Sequence, residues 1–101
     1  MAFQITASLL DACVLSMLSR GDTYGYELTQ SLRERLQVSE STLYPVLRRL
    51  QGSGFLRTYD LPHQGRNRRY YAITDSGRAQ LDAFRDDWKG FRGMIDGFLG
   101  K

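Results

Sequence analysis

Near the C-terminus, Leu81, Phe84, Trp88, Phe91, Ile95 and Phe98 follow one another at spacings of 3, 4, 3, 4 and 3. That is a heptad seam, with Leu81, Trp88 and Ile95 in one position and Phe84, Phe91 and Phe98 in the other. It calls for a long helix, opened by Thr74 as N-cap ahead of Asp75-Ser76-Gly77. The seam covers less than three heptads, too short for a free coiled coil, so it needs a partner surface. Glycines 90, 93, 97 and 100 lie on the outer side, each costing up to about 1 kcal/mol of helix stability, and the last turn is expected to fray. A chain of 101 residues is one domain with a modest core, and pairing is a common source of extra stability at this size.

Composition removes several classes of function. Hydrophobic residues at 42% and charged residues at 25% are ordinary globular usage and exclude a disordered chain. One cysteine, Cys13, excludes an intrachain disulfide framework and a multi-cysteine metal site. One histidine, His63, removes most metal-ligand sets and the usual Ser-His-Asp and Cys-His relays. With no paired acidic constellation either, an enzyme is the least supported class, and no cofactor or metal is expected. No uncharged apolar stretch approaches the ~18 residues of a membrane span. Met-Ala-Phe-Gln-Ile lacks the basic segment that opens a secretory signal. A soluble cytoplasmic protein is expected.

The net charge of +3 is unevenly spread. Residues 1–47 sum to −2 and residues 70–101 cancel. Residues 48–69 carry Arg48, Arg49, Arg57, Arg66, Arg68 and Arg69 against Asp60 alone, a sum of +5. Twelve of the fourteen basic residues are arginine, whose guanidinium grips phosphate and guanine edges in two-pronged fashion.

Periodicity divides the chain into elements. Leu9, Leu10, Cys13, Val14, Met17 and Leu18 form a wide helical stripe over residues 8–20, with Cys13 read as a core residue. Tyr24, Leu28, Leu32 and Leu36 mark a second helix over 24–36, capped by Thr23; Gln37-Val38 is a short turn. Ser39 caps a third helix over 40–52, whose buried side is Leu43, Val46, Leu47 and Leu50. Its outer side is Ser41, Thr42, Tyr44, Pro45, Arg48 and Arg49. Pro45, in the second turn, removes a helix hydrogen bond, and such a broken rule is expected at a functional place. Residues 55–59 and 69–74 read as two strands, joined by a long tip from Asp60 to Arg68.

The order ααα-ββ-α is mainly α with a small β-hairpin: a winged helix-turn-helix over residues 1–74 and a C-terminal dimerisation helix over 75–101, forming one compact unit. In such a domain the third helix enters the major groove by its N-terminal part, and the wing reaches flanking backbone or minor groove. Small residues at the leading end, Ser41, Thr42 and Pro45, allow close approach to base edges. Arg48 could reach a guanine or a phosphate. Arg49 is either a flanking phosphate contact or a solvated charge. Tyr44 either meets DNA or packs at the core edge, and one of Tyr70 and Tyr71 packs while the other faces DNA.

Three runs carry a resemblance. Leu18-Ser-Arg-Gly-Asp-Thr-Tyr-Gly-Tyr-Glu-Leu28, Ser41-Thr-Leu-Tyr-Pro-Val-Leu-Arg-Arg-Leu50 and Gly65-Arg-Asn-Arg-Arg-Tyr-Tyr-Ala-Ile-Thr-Asp-Ser-Gly77 are similar to PadR-family transcriptional regulators, over about residues 9–99. The resemblance implies a winged-helix repressor of the short branch, with a single C-terminal helix making a homodimer on an operator. It implies DNA contacts by Ser41, Thr42, Tyr44 and Pro45 in the third helix, by Arg66, Arg68 and Arg69 in the wing, and by Tyr26 on a phosphate. Some short-branch members bind flat aromatic compounds between paired tryptophans of the dimer, and Trp88 falls where that tryptophan would be.

Other functions stay open at this stage: a small-molecule sensor with incidental DNA binding, or an adaptor pairing its terminal helix with a different chain. Trp88 is either dimer core or one wall of a flat aromatic slot. His63 reads as an exposed loop residue. Asp86 and Asp87 read as solvated helix charges that could also favour a cationic ligand.

Overall fold

The computed structural model describes residues 4–100. Met1, Ala2, Phe3 and Lys101, and with them the outer bounds of the two expected segments and the start of the stretch tested for a leader, lie outside the described residues. The elements are α1 (Ala7–Ser19), β1 (Thr23–Tyr24), α2 (Gly25–Leu36), α3 (Glu40–Gly52), β2 (Leu56–His63), β3 (Arg66–Ile73) and α4 (Asp75–Leu99). The fold is mainly helical with a small antiparallel sheet in the order β1-β3-β2.

Two of the expected caps hold. Ser39 Oγ accepts from the Thr42 amide at 3.3 Å, and Thr74 Oγ1 accepts from the Gly77 amide at 3.0 Å. Each satisfies one of the amides that a helix start leaves without a partner. Gln37 ends α2 in the left-handed region (φ 57°), its amide bonded to the Arg33 carbonyl at 2.8 Å. A tight turn therefore joins α2 to α3.

The expected Thr23 cap is corrected. Thr23 and Tyr24 are extended and pair with Tyr71 and Tyr70, giving the sheet a third strand that helical spacing concealed. β-branched and aromatic residues favour such an extended edge. Tyr24 occupies the N-cap position of α2 and makes no side-chain cap bond. Gly25 lets the strand sit close: a Cβ there would lie 3.3 Å from Tyr71 Cε1.

The long hairpin tip is corrected too. β2 and β3 remain paired out to His63 and Arg66, leaving Gln64 and Gly65 as the turn. Both have positive φ, 51° and 79°, as tight two-residue hairpins require. Pro62 lies inside β2 without harm because β2 is an edge strand, where a missing N–H breaks no ladder bond.

The core is built on α1. Leu10, Val14, Leu15 and Leu18 are buried against Leu28 and Leu32 of α2 and the expected face of α3, Leu43, Val46, Leu47 and Leu50. Leu56, Ile73 and Leu81 close it. The stripe on α1 splits in two. Leu15, outside the expected stripe, is fully buried, whereas Leu9, Cys13 and Met17 are half-buried and line an open groove towards α4. Cys13 thus sits at the core's edge, and burial still pushes its thiol pKa up.

The start of α4 is fastened to the α3–β2 connection. Thr74 Oγ1 and Ser76 Oγ donate to the Gly54 carbonyl at 2.6 and 2.8 Å, and the Thr74 amide bonds to Phe55 O at 3.1 Å. Further along, the cover of α4 falls away. Leu81 is buried and Phe84 half-buried, but Trp88, Phe91 and Phe98 are 43%, 53% and 85% exposed, and Met94 and Leu99 are exposed with them. Only Ile95 of the outer seam is half-covered. No helix among the described residues is long and apolar enough to cross a membrane.

The fastening has a testable consequence. A Cβ on Gly77 would collide with the Phe55 carbonyl oxygen and lie 2.8 Å from Ile73 Cγ1. Backbone cannot retreat as a flexible side chain can, so the clash outweighs alanine's better helix propensity. Gly77→Ala should lower unfolding stability by about 1–3 kcal/mol in urea titration.

Candidate nucleic-acid interface

Ser41, Thr42, Tyr44, Pro45, Arg48 and Arg49 all lie on the solvent side of α3, opposite its buried leucines. At the helix start Ser39 Oγ is 2.9 Å from Ser41 Oγ and 3.1 Å from Thr42 Oγ1, so three hydroxyls cluster there. The outer face of α2 runs into the same end of α3. The Tyr26 hydroxyl accepts from Gln30 Nε2 at 2.8 Å. Arg33 Nη1 donates to Gln30 Oε1 at 3.0 Å and to Glu40 Oε1 at 3.1 Å.

The wing folds back towards these helices. A cleft of about 890 Å³ is lined by Tyr24 from β1, Tyr26 from α2, Tyr44 from α3, and Arg66, Arg68 and Arg69 from β3. Five of the residues expected from the resemblance to contact DNA therefore meet in one concavity. Ser41, Thr42, Pro45 and Arg48 stand outside its lining, on the open face of α3. His63 is exposed on the cleft rim, in a strand rather than a loop.

The arginines are not equivalent. Arg49 forms an ion pair with Asp11 of α1. Arg69 Nε lies 3.7 Å from Asp60 Oδ1, across the β2–β3 pair. Among the described residues, Arg48, Arg66 and Arg68 have no carboxylate within ion-pair distance, so their charge is left for an external anion. The local surplus of positive charge is thus smaller than the sequence count and lies on α3 and the wing.

Tyr70 and Tyr71 are both half-buried, so neither is wholly core nor wholly surface. Tyr71 packs against the core, and burial raises its hydroxyl pKa while nearby Arg69 and Arg48 oppose the rise. Tyr70 sits in an aromatic ladder, stacked on Tyr59 at 5.5 Å and tilted against Tyr24 at 5.8 Å. The Tyr59 hydroxyl donates to Asp22 Oδ2 at 2.7 Å, a bond that raises its pKa. The Arg68 guanidinium carbon is 3.9 Å from the centre of the Tyr24 ring. By spacing Tyr24 reads only as the first residue of the α2 stripe, and Asp22 gives no sign of a partner. Their role depends on a strand pairing that two residues alone do not signal.

Trp88 lies elsewhere. It lines an apolar groove of about 710 Å³ between α1 and α4, with Leu9, Cys13, Met17, Phe84 and Phe91. The Trp88 and Phe91 rings are 6.2 Å apart and tilted. Asp87 borders this groove and Asp86 does not.

A helix-turn-helix whose third helix is followed by an arginine-bearing hairpin defines the winged-helix class of DNA-binding regulators. The family described as "Transcriptional regulator PadR-like family" matches residues 14–83. The chain belongs to that family, which comprises transcriptional regulators and not enzymes. It is similar to a Streptococcus mutans protein of known crystal structure, at 38% identity and a TM-score of 0.90, over 99% of this chain and 94% of that one. It is also similar to a PadR-like transcriptional regulator of Bacillus cereus, at 32% identity and a TM-score of 0.82, over 92% and 93% of the two chains. The negative transcriptional regulator PadR of Bacillus subtilis is 31% identical over 86 residues, which cover 79% of this chain and 44% of that longer protein.

The Arg49 pair can be checked by its pH signature. Desolvation raises the Asp11 pKa, and Arg49 partly offsets the rise. The folded chain therefore takes up a proton at Asp11 more readily than the unfolded chain, and Asp11 becomes a growing burden as pH rises through the carboxylate range. Losing Arg49 enlarges that burden. Arg49→Ala should destabilise by about 1 kcal/mol at neutral pH. The difference from wild type should shrink as pH is lowered and Asp11 is protonated, as thermal unfolding across pH would read.

Proposed function

We propose that the protein is a cytoplasmic repressor that binds an inverted-repeat operator as a homodimer. The observation that carries the reading is the meeting of α2, α3 and the wing around one cleft, with Arg48, Arg66 and Arg68 facing no carboxylate among the described residues. Ser41, Thr42 and Pro45 lead α3 into the major groove, with Tyr44 and Arg48 following. Tyr26 meets a phosphate, and Arg66 and Arg68 grip flanking backbone. Arg69 and Arg49, each facing a carboxylate, contribute less. The sense of regulation follows that of the Bacillus subtilis relative, which is named a negative regulator.

The exposed apolar side of α4 supports the dimer. Phe84, Trp88, Phe91, Ile95 and Phe98 supply the seam, with Met94 and Leu99 beside it. Leu81 belongs to the chain's own core, at 3% exposure, so the contact with a second copy begins one step later. Such a row of exposed aromatics is unfavourable in water and is relieved by pairing. Two-fold symmetry then sets the half-sites about one helical turn apart. Sedimentation at micromolar concentration should show a dimer, and Phe91→Glu a monomer. The dimer should bind a duplex from the region upstream of its own gene, with affinity falling steeply as salt rises, because arginine contacts release counterions. A monomeric wild type, or one indifferent to DNA at low ionic strength, would overturn the reading.

The apolar groove beside Trp88 favours a flat aromatic effector held between the two copies. Its binding would change the angle between the paired α4 helices. Because α4 is fastened at Thr74 to the connection that leaves α3, that angle sets the spacing of the two α3 helices. Planar aromatic compounds should quench the single tryptophan and weaken operator binding over the same concentration range. Quenching with unchanged DNA affinity would point to a sensor in which DNA binding is incidental.

A further inference from the structure

We propose that Tyr24 is a positioning residue for DNA binding, its ring holding the Arg68 guanidinium face-on so that the nitrogen edges are presented to a backbone phosphate. This rests on the DNA-binding reading above and adds to it the group that orders one of its arginines.

The geometry begins with strand register. Tyr24 pairs with Tyr70, and residues two apart on a strand share a face, so Arg68 extends over the Tyr24 ring from the next position along β3. The 3.9 Å separation is that of a close cation–π contact. Such a contact uses the flat face of the guanidinium and leaves its in-plane N–H donors free. No carboxylate among the described residues lies within ion-pair distance of Arg68. The cation is therefore ordered without being neutralised. Its neighbours differ. Arg69 faces Asp60, and Arg66, beside the turn, has no ring beneath it among the described residues.

The ring is itself held. Tyr24 leans on Tyr70, Tyr70 stacks on Tyr59, and Tyr59 is hydrogen-bonded to Asp22, two residues before Tyr24. The ladder closes on the segment from which it starts. A free arginine loses up to about 2 kcal/mol of side-chain entropy on being fixed, and one already fixed against a ring loses less when phosphate binds.

The test measures binding of the full chain to a fluorescein-labelled 30-base-pair duplex of mixed sequence in low salt, by anisotropy. Such a duplex reads phosphate contacts irrespective of the operator. Tyr24→Leu should weaken binding about three- to tenfold, the scale of a cation–π contact, and Tyr24→Phe, which keeps the ring, should restore it. In an Arg68→Ala background, Tyr24→Leu should have no further effect. In the free wild-type chain, ring current from Tyr24 should shift the Arg68 Nε proton upfield. That readout stands even if Tyr24→Leu fails to fold.

An equal effect of Tyr24→Leu with and without Arg68 would overturn the proposal while leaving the DNA reading intact. So would an unshifted Arg68 proton, or an Arg68→Ala variant that binds as wild type does. A wild-type chain that ignores the duplex would overturn both.

Discussion

Thr23 and Tyr24 leave the helical path and pair with Tyr71 and Tyr70, and the placement of the wing depends on that short ladder. Without it, β2 and β3 would form a two-stranded hairpin joined to the body at its base, and such hairpins are marginal by themselves in water. With it, the start of α2 and the inner strand of the wing share backbone hydrogen bonds. Tyr26, Tyr44 and the wing arginines then surround one cleft. The same pairing brings Tyr24 under Arg68. A contact between two short backbone segments thus organises both the shape and the charge of this cleft.

The rest of the molecule is arranged around α1. One side of this helix buries leucine and valine in the domain core, and the other borders the groove beneath α4. α4 joins the two surfaces of the protein. Its first turn is fastened to the α3–β2 connection, its second contributes Leu81 to the core, and its remainder exposes aromatic side chains. α4 is thus anchored at one end and exposes apolar side chains at the other, a rigid rod running between the two surfaces.

Much of this was legible in the residues. Ser39 and Thr74 precede their helices as caps because a hydroxyl three residues ahead of an amide is a local device, complete within one turn. The buried face of α3 followed from spacing alone, whereas the first residue of the α4 seam, Leu81, went to the chain's own core and most of the rest stands exposed. The errors differ in cause. Thr23 looked like a cap and Leu15 fell outside the α1 stripe because their partners are distant in sequence: Tyr71 for Thr23, and a core that surrounds α1 more widely than one stripe requires. The hairpin tip looked long for a local reason: Pro62 reads as a loop residue, yet an edge strand tolerates it and Pro62–His63 pair with Asn67–Arg66 just across the turn.

The charge of the site divides in the same way. By itself the sequence determined the order of the elements, the family, and the concentration of arginine between residues 48 and 69, because helix period, capping and composition are local properties. Only the tertiary structure decided which arginines remain available. Arg49 meets Asp11 from a different helix, Arg69 meets Asp60 across a strand pair, and Arg68 meets a tyrosine ring brought beside it by β1. Electrostatic and cation–π energies depend on separation in space, which folding sets and chain order does not.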